Sequence, residues 1–271
     1  MPVSELTYTI IVYVFIFLFG ITIGSFLNVC IYRLPKEESL IKRNSHCMTC
    51  GAEIKRYDLI PVFSWIMLRG KCRSCGAPIS PRYCVVESLN GILYVLIFMY
   101  YDFMYSPLRA ILVCLLFSAL IVVFFMDWDT QLISNYVVGF IALVGVLDYL
   151  RTLLNFDAAT SGDVGLKSRI IGIFAVSVVL LIIELASKGR AMGRGDVYLM
   201  AAAGAFLGVK AVVAAFAIGL VTGSIAGLII KKVTGGSKFA FGPYLSLGIA
   251  VSAIWGNQLA DLYLRFTGFI Q

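Results

Sequence analysis

Long apolar stretches alternate with short polar breaks along almost the whole chain. They predict membrane-spanning helices near residues 8–31, 84–101, 109–126, 136–154, 169–187, 197–209, 211–230 and 243–262. Most reach the roughly 20 residues that an α-helix needs to cross a ~30 Å hydrocarbon core. The stretch 197–209 is too short, so it is either a truncated helix or one half of a broken unit with 211–230. The pattern therefore predicts an all-α polytopic membrane protein with about eight transmembrane helices.

The composition excludes a soluble globular protein and a disordered one. Of the 271 residues, 60% are hydrophobic and only 14% are charged, whereas roughly 25% are charged in a soluble domain. The mean hydropathy is +0.93. The first apolar stretch is an anchor rather than a signal peptide, because it exceeds the about 7–15 residues of a signal core and no basic residue precedes it. The lipid bilayer is therefore an expected partner.

The distribution of basic residues predicts the orientation. In a soluble protein the net charge of +7 would suggest nucleic-acid binding. Here it indicates positively charged cytoplasmic loops, and no nucleic-acid partner is expected. With the N-terminus outside, 16 of the 22 Lys and Arg residues lie on the cytoplasmic side, ten of them in segment 32–83. The predicted domains are a first transmembrane helix (1–31), this cytoplasmic loop (32–83) and a transmembrane domain (84–271).

Cysteines indicate that the loop 32–83 is a small metal-binding module. Four of the seven cysteines form two Cys-x-x-Cys knuckles, Cys47, Cys50, Cys72 and Cys75. Two such knuckles present four thiolates to a tetrahedral Zn²⁺, and no position is left for a water, so the zinc would be structural. The competing interpretation is two disulfides or a redox pair, which a reducing cytoplasm disfavours. His46 is the only histidine; we expect a solvated loop residue, and a hydrolase with a catalytic His is excluded.

Two aspartates at the membrane boundary are the candidate catalytic residues. Asp127 ends the third apolar stretch and Asp196 begins the sixth, so the predicted topology brings both to the cytoplasmic side. Two carboxylates within a few Å can form the dyad of an aspartic protease. The alternative is that an acid such as Asp196 only caps a helix. Gly193 and Gly195 would let backbone and substrate approach closely at the second aspartate.

Four further acids have open interpretations. Asp129 is a rival of Asp127 for the first catalytic role. Glu87 is either a helix-start acid or a substrate contact that supports the active site. Asp148 and Glu184 lie deeper in apolar stretches, where an ionisable residue is a functional candidate. The sequence identifies no partner for either of them.

The pattern resembles the type IV prepilin peptidase family over nearly the whole chain. The resemblance rests on five ordered blocks: Gly24-Ser-Phe-Leu-Asn-Val-Cys-Ile-Tyr-Arg-Leu-Pro35, the cysteine tetrad, Ile60-Pro-Val-Phe-Ser-Trp65 with Leu68-Arg-Gly-Lys-Cys72, Asp127 to Asn135, and Gly193-Arg-Gly-Asp196. Two shorter pieces, 79–83 and 241–244, are also similar. One departure is Ser134, where many members have Pro; Ser can cap the next helix instead.

The resemblance implies an aspartic endopeptidase of the bacterial cytoplasmic (inner) membrane, with its active site facing the cytoplasm. The family's catalytic aspartates map onto Asp127 and Asp196. The implied substrates are prepilins and pseudopilins of type IV pili, type II secretion or DNA uptake, whose short basic leader is removed. Many members also methylate the new N-terminal residue with S-adenosylmethionine, an activity tied to the Cys-bearing loop. No nucleotide-binding fingerprint supports this activity independently, and the residues that bind the methyl donor are unknown.

Two other functions remain as alternatives. A presenilin-like or signal-peptide-peptidase-like intramembrane protease shares the Gly-x-Gly-Asp element, but the early zinc module and the interfacial depth of both aspartates argue against it. A transporter with a regulatory zinc module would have its acids at the bilayer midplane rather than at one edge. Cleavage of a pilin precursor distinguishes the three functions.

Overall fold

The computed structural model describes residues 3–42, 44–157, 163–190, 192–234 and 239–268. This part of the chain is helical and contains no β-strand, apart from two isolated β-bridges. The helices are α1 (Val3–Arg33), α2 (Phe63–Met67), α3 (Arg82–Tyr101), α4 (Pro107–Thr130), α5 (Asn135–Leu153), α6 (Leu166–Ser187), α7 (Arg194–Thr234) and α8 (Gly242–Phe266). Two 3₁₀ turns lie between α1 and α2, at Leu34–Lys36 and Arg56–Leu59. The protein is an all-α polytopic membrane protein, as its apolar stretches predict.

Six of the described helices are long and apolar enough to cross a membrane, rather than the predicted eight. They are α1, α3, α4, α5, α6 and α7. Helix α8 does not belong to this set, and Asn257, Gln258 and Asp261 make its second half polar. The stretches 197–209 and 211–230, predicted as two spans, are joined in the single element α7, which is broken at Gly208.

The chain forms two compact units, Met1–Tyr100 and Tyr101–Gln271. In the first unit, α1 and α3 pack with their backbones in contact. The Asn90 side chain donates to the Gly20 carbonyl at 2.7 Å, and a Cβ on Gly20 would lie 2.8 Å from the Cα of Gly91. Such close approach at small residues is typical of membrane helix pairs. In the second unit, α7 packs against α5, α6 and α8, and α4 packs against α5 and α8.

Helix α7 reverses its direction at Gly208. Asp196, in its first turn, interacts electrostatically with Asp127 of α4. Gly223, in its second half, is in close contact with Phe241, which directly precedes the α8 residue that donates to Asp127. A straight helix would hold positions 196 and 223 about 40 Å apart. Because both lie near Asp127, the two halves of α7 run in opposite directions, and the first half is short, as predicted for 197–209.

Side chains from the start of α6 satisfy the backbone groups that the break releases. Gly208 has φ 74° and ψ 178°, a conformation that essentially only glycine adopts. Arg169 Nη1 donates to the carbonyl of Phe206 at 3.2 Å. The N–H of Val209 donates to Ser168 Oγ at 3.1 Å. A break in an apolar bundle persists only where the freed groups find partners, and here α6 supplies them.

A buried cluster of charges surrounds Asp148 near this break. Its carboxylate accepts from Arg169 Nη2 at 2.6 Å and from Arg151 Nε at 3.2 Å, and it also pairs with Arg109. Two aspartates of the following loop pair with Arg151 as well. The three arginines are at most 3% exposed. The sequence count places these three arginines among the six basic residues outside the cytoplasmic segments, and the structure shows that they are paired with carboxylates inside the second unit.

Candidate active site

Asp127 lies in the last turn of α4 and faces the first residue of α8. Its side chain is buried, and its Oδ2 accepts a hydrogen bond from the N–H of Gly242 at 2.9 Å. A Cβ on Gly242 would lie 2.8 Å from the same oxygen, so a residue with a side chain could not bring its N–H this close without a shift. The N-terminus of a helix favours negative charge. Helix α8 therefore presents an anion-favouring wall to this carboxylate.

The first turn of α7 brings Asp196 to Asp127. Asp196 is buried, and its N–H donates to the carbonyl of Gly193 at 3.2 Å. Its carboxylate is close enough to that of Asp127 for the two charges to interact. The structure thus places both sequence-predicted aspartates in one site, at a helix C-terminus and a helix N-terminus. Their catalytic role stays a prediction.

The loop between α4 and α5 packs against the start of α7. Ser134 caps α5, since its side chain accepts the N–H two residues further on at 3.3 Å, the role expected of it. A Cβ on Gly195 would lie 2.9 Å from the Cβ of Ile133, so this glycine lets the two aspartate-bearing segments touch. At Gly193 the nearest atoms to an added Cβ include Asp196 Oδ2 at 3.9 Å. Packing therefore requires glycine at 195 but not at 193.

The other candidate acids have different surroundings. Asp129 is exposed, whereas Asp127 is buried. Asp148 belongs to the arginine cluster, and Glu184 accepts from Arg194 Nε at 3.1 Å, a partner that the sequence did not identify. Glu87 belongs to the first unit, where a backbone N–H of the Cys-bearing loop donates to its carboxylate at 2.7 Å.

The sequence analysis missed Gly242 as part of this site. It noted the piece 241–244 without assigning it a role. The available signal is Pro243 after Gly242, since proline in the first turn marks a helix N-terminus whose free N–H groups can meet a carboxylate. The hydrogen bond to Asp127 joins residues 115 positions apart, and no local pattern indicates such a contact.

Four cysteines of the first unit form a cluster that could hold a metal ion. The sulfur atoms of Cys47, Cys50, Cys72 and Cys75 all lie within 4.8 Å of one another. The sulfurs of Cys47 and Cys75 are 3.9 Å apart. Tetrahedral zinc with Zn–S bonds of about 2.3 Å needs sulfurs about 3.8 Å apart, so the cluster fits this ion. His46 does not belong to the cluster.

The two knuckles share one backbone conformation. In each, the N–H of the first cysteine donates to the carbonyl five residues further on, at 2.9 and 2.8 Å. Gly51 and Gly76 both have φ 70°, a value that glycine adopts readily. The N–H groups of Cys50 and Thr49 donate to Cys47 and lower the pKa of this thiol to about 6. A thiolate is therefore available to a cation at neutral pH.

Comparison with known proteins gives two family matches that together cover most of the chain. Residues 18–101 match the family described as Bacterial Peptidase A24 N-terminal domain, and residues 114–228 match the Type IV leader peptidase family. The second match contains both aspartates of the site. No solved structure matches the chain.

Several curated relatives carry the name prepilin leader peptidase/N-methyltransferase. The protein from Pseudomonas aeruginosa is 30% identical over 279 residues, which cover 93% of each chain. That from Neisseria gonorrhoeae is 32% identical over 84% of this chain and 85% of its own. That from Dichelobacter nodosus is 30% identical over 98% of this chain and 99% of its own.

The fold and the matches define a polytopic membrane protein of the leader peptidase class. The chain belongs to the prepilin leader peptidase/N-methyltransferase family, which confirms the resemblance stated from its motifs. The presenilin-like and transporter alternatives are disfavoured accordingly.

Proposed function

We propose that the protein removes the leader peptide of type IV prepilins or pseudopilins and methylates the new N-terminal residue with S-adenosylmethionine. Relatives named for both activities align with nearly all of the chain. The observation that carries the proteolytic part is the buried pair Asp127 and Asp196, within the segment that matches the Type IV leader peptidase family.

Asp127 and Asp196 act as one acid–base unit in this proposal. Two carboxylates this close share a proton, because ionising both in a buried site is costly. The charged member takes a proton from a water that attacks the scissile carbonyl. The protonated member hydrogen-bonds the carbonyl oxygen and later helps to protonate the leaving amine. The N–H of Gly242 orients Asp127 before a substrate arrives.

The site faces the cytoplasm from the bacterial inner membrane. By the sequence count, 16 of the 22 Lys and Arg residues lie on the same side of the membrane as the two aspartates. Three of the other six, Arg109, Arg151 and Arg169, are buried and paired. They do not count as loop charges, so the bias towards the cytoplasmic side is stronger than the sequence count. A prepilin whose apolar helix lies in the bilayer presents its cleavage site at this depth.

The Cys cluster holds a structural zinc ion. The four sulfurs lie within 4.8 Å of one another, which is compatible with a tetrahedral site, and four protein ligands leave no position open for a reacting water. When bound, the ion supplies cross-links between the two knuckles. The cysteines of segments 47–50 and 72–75 hold the ion. Cleavage of the peptide bond is carried out by the aspartates of the other unit.

Cleavage of a prepilin by the purified protein in detergent tests the aspartate pair. We expect Asp127→Asn and Asp196→Asn each to lower the rate by about 10²–10⁴-fold, the usual contribution of a positioned acid or base. Asp129→Asn is the matched control, because Asp129 is exposed, and it should stay within about twofold of the wild type. Mass measurement of the product reports the new N-terminus and, with S-adenosylmethionine present, the added methyl group. Normal cleavage by either folded Asn variant of the pair would refute its assignment.

A further inference from the structure

The first unit contains a cavity of about 450 Å³ that proteolysis by the aspartate pair does not use. Its lining residues all lie between positions 25 and 87, on α1, in the Cys-bearing loop and at the start of α3. Small-molecule sites typically enclose about 300–1,000 Å³. The cavity therefore has the size of a ligand site, and it lies in the unit that lacks both aspartates.

Glu87 places a buried carboxyl group in the wall of this cavity. The residue is 7% exposed. Its Oε2 accepts the N–H of Val62 at 2.7 Å, and the hydroxyl of Ser25 donates to the same carboxylate. These partners are neutral donors. A buried carboxylate without a neutralising cation is costly, and a positively charged ligand would compensate it.

The backbone that holds Glu87 is strained. Val62 has φ 63° and ψ −53°, and positive φ is a genuine outlier for a β-branched residue. The N–H of Phe63 donates back to the carbonyl of Pro61 at 2.6 Å, which closes the rare γ-turn with positive φ. Strain of this kind clusters at ligand sites and active sites, where the surrounding structure maintains it. Here it directs the N–H of Val62 towards the Glu87 carboxylate.

The rest of the wall suits a ligand that combines a cation with flat rings. Trp65 lines the cavity and is held by a hydrogen bond from its Nε1 to a backbone carbonyl at 3.2 Å. Arg73 lies in the same wall, but Asp58 neutralises it at 2.7 Å, and this contact lowers the pKa of Asp58. Further lining residues are the aromatic Tyr32 and Tyr83, the acids Glu38 and Glu53, and the bases Arg33 and Lys55, which suit the carboxylate of an amino-acid ligand. Carboxylates and ring faces both attract cations.

We infer that this cavity binds the methyl donor S-adenosylmethionine, with the carboxylate of Glu87 facing a positive charge of the donor. The inference rests on the methyltransferase part of the proposed function. The donor carries a sulfonium, an ammonium, a carboxylate and an adenine ring, which correspond to the acids, the bases and the aromatic rings of the wall. Glu87 is a binding residue in this assignment.

The methyl transfer needs only two reactants, the donor and the new N-terminal amine. The lone pair of the neutral amine nitrogen forms the bond to the methyl carbon. The bond between sulfur and methyl carbon breaks, and its electron pair stays on sulfur, so S-adenosylhomocysteine remains. The ammonium that results loses a proton to solvent. The sulfonium charge is lost in this step, whereas the ammonium stays, so Glu87 favours the donor over the spent product when it faces the sulfonium.

Binding of the donor to the purified full-length protein tests the inference by titration calorimetry. Glu87→Gln keeps the shape and a hydrogen-bond acceptor for Val62 but removes the charge. We expect it to weaken S-adenosylmethionine binding by about 10- to 100-fold, the range for a charge-assisted contact. Val29→Phe, which adds bulk to the α1 wall of the cavity without a change of charge, should weaken binding to a similar degree. Glu37→Gln is the matched control, because Glu37 is exposed and does not line the cavity.

The zinc content of each variant reports whether the Cys-bearing loop is folded. Donor binding by Glu87→Gln and Val29→Phe at wild-type strength would overturn the inference. Loss of donor binding in Asp127→Asn alone, with methylation intact in the wild type, would also overturn it. The donor would then lie in the second unit. Absence of both binding and methylation in the wild type would also overturn it. Leader cleavage in the same sample would then show whether the proteolytic part of the proposed function survives.

Discussion

At the scale of single residues, Gly242 positions the carboxylate of Asp127 in the candidate active site. Its N–H donates to Asp127 at 2.9 Å, and there is no room for a Cβ beside the carboxylate. We expect Gly242→Ala to displace either the helix start or the carboxylate and to lower prepilin cleavage by at least about tenfold, since small displacements at a catalytic group are costly. Rates measured in detergent check this.

Gly139→Ala is the control for that change. An added Cβ at Gly139 has no neighbour within 4 Å, and alanine in a helix is slightly favoured over glycine. The control should cleave at the wild-type rate. A Gly242→Ala enzyme with wild-type kinetics would show that this hydrogen bond does not orient the aspartate.

Sequence patterns could predict individual residues of the site where the chemistry is local. The two Cys-x-x-Cys knuckles carry their own turn geometry, and the described structure brings their sulfurs together. Asp127 and Asp196 could be placed at one depth from the apolar stretches alone. The partners of Asp148 could not, because Arg109 and Arg169 are distant in sequence and look like ordinary boundary charges. Long-range pairing of charges has no signature in a single sequence.

At the scale of elements, the reversal of α7 determines where Asp196 lies. Gly208→Ala would place a residue in a conformation essentially restricted to glycine, and its Cβ would lie 2.6 Å from Val164 Cγ1. We expect a loss of at least about 1–3 kcal/mol of stability from the backbone alone, together with reduced cleavage. The thermal midpoint in detergent and the cleavage rate measure both effects.

Gly227→Ala, in the second half of α7, is the matched control. The nearest atoms to an added Cβ there are those of the Phe239 ring, at 3.7 Å or more, which is ordinary contact. It should keep the wild-type midpoint. Equal behaviour of the two variants would contradict the reversal at position 208.

The cluster around Asp148 ties α4, α5 and α6 together. Asp148→Asn would leave three buried arginines with one carboxylate fewer. Removing one member of a buried ion pair costs about 3–5 kcal/mol, so we expect a clearly lower unfolding midpoint. Asp261→Asn is the control, because its pair with Lys210 is about half exposed and is worth about 0–1 kcal/mol. A similar midpoint for both variants would show that the cluster adds no stability.

Hydropathy predicted the helices well because membrane burial demands about 20 apolar residues in a row. The predicted stretch 136–154 corresponds to α5 at Asn135–Leu153, and 84–101 corresponds to α3 at Arg82–Tyr101. The break in α7 was expected at Lys210 and lies at Gly208. What hydropathy could not predict is how the break is stabilised, since this depends on one φ angle and on α6 side chains that bond the released backbone groups.

At the scale of the whole molecule, we expect the Cys-bearing loop of the first unit to depend on a bound metal ion for its fold. In the part of this loop that the structure describes between 44 and 80, the buried residues are Ser64 and Gly70. A segment without a buried apolar core needs cross-links, and four thiolates around a zinc ion would provide them. The division into domains at 31 and 83 stays a prediction, and metal removal can test its central segment.

We predict that the full-length protein contains one zinc ion per chain and that chelation unfolds this loop without dissolving the helix bundle. Trypsin should then cut after the exposed residues Lys55 and Arg56, sites that the metal-bound loop protects. Cys47→Ser should have the same effect without a chelator, since it removes a ligand of the cluster. Cys114→Ser is the matched control, because Cys114 is buried in α4 outside the cluster. Atomic spectroscopy measures the metal content, and circular dichroism measures the helix content, which comes mostly from the helix bundle. A chelated protein that loses most of its helix signal would contradict the prediction. A zinc-free wild type whose loop resists trypsin would contradict it as well.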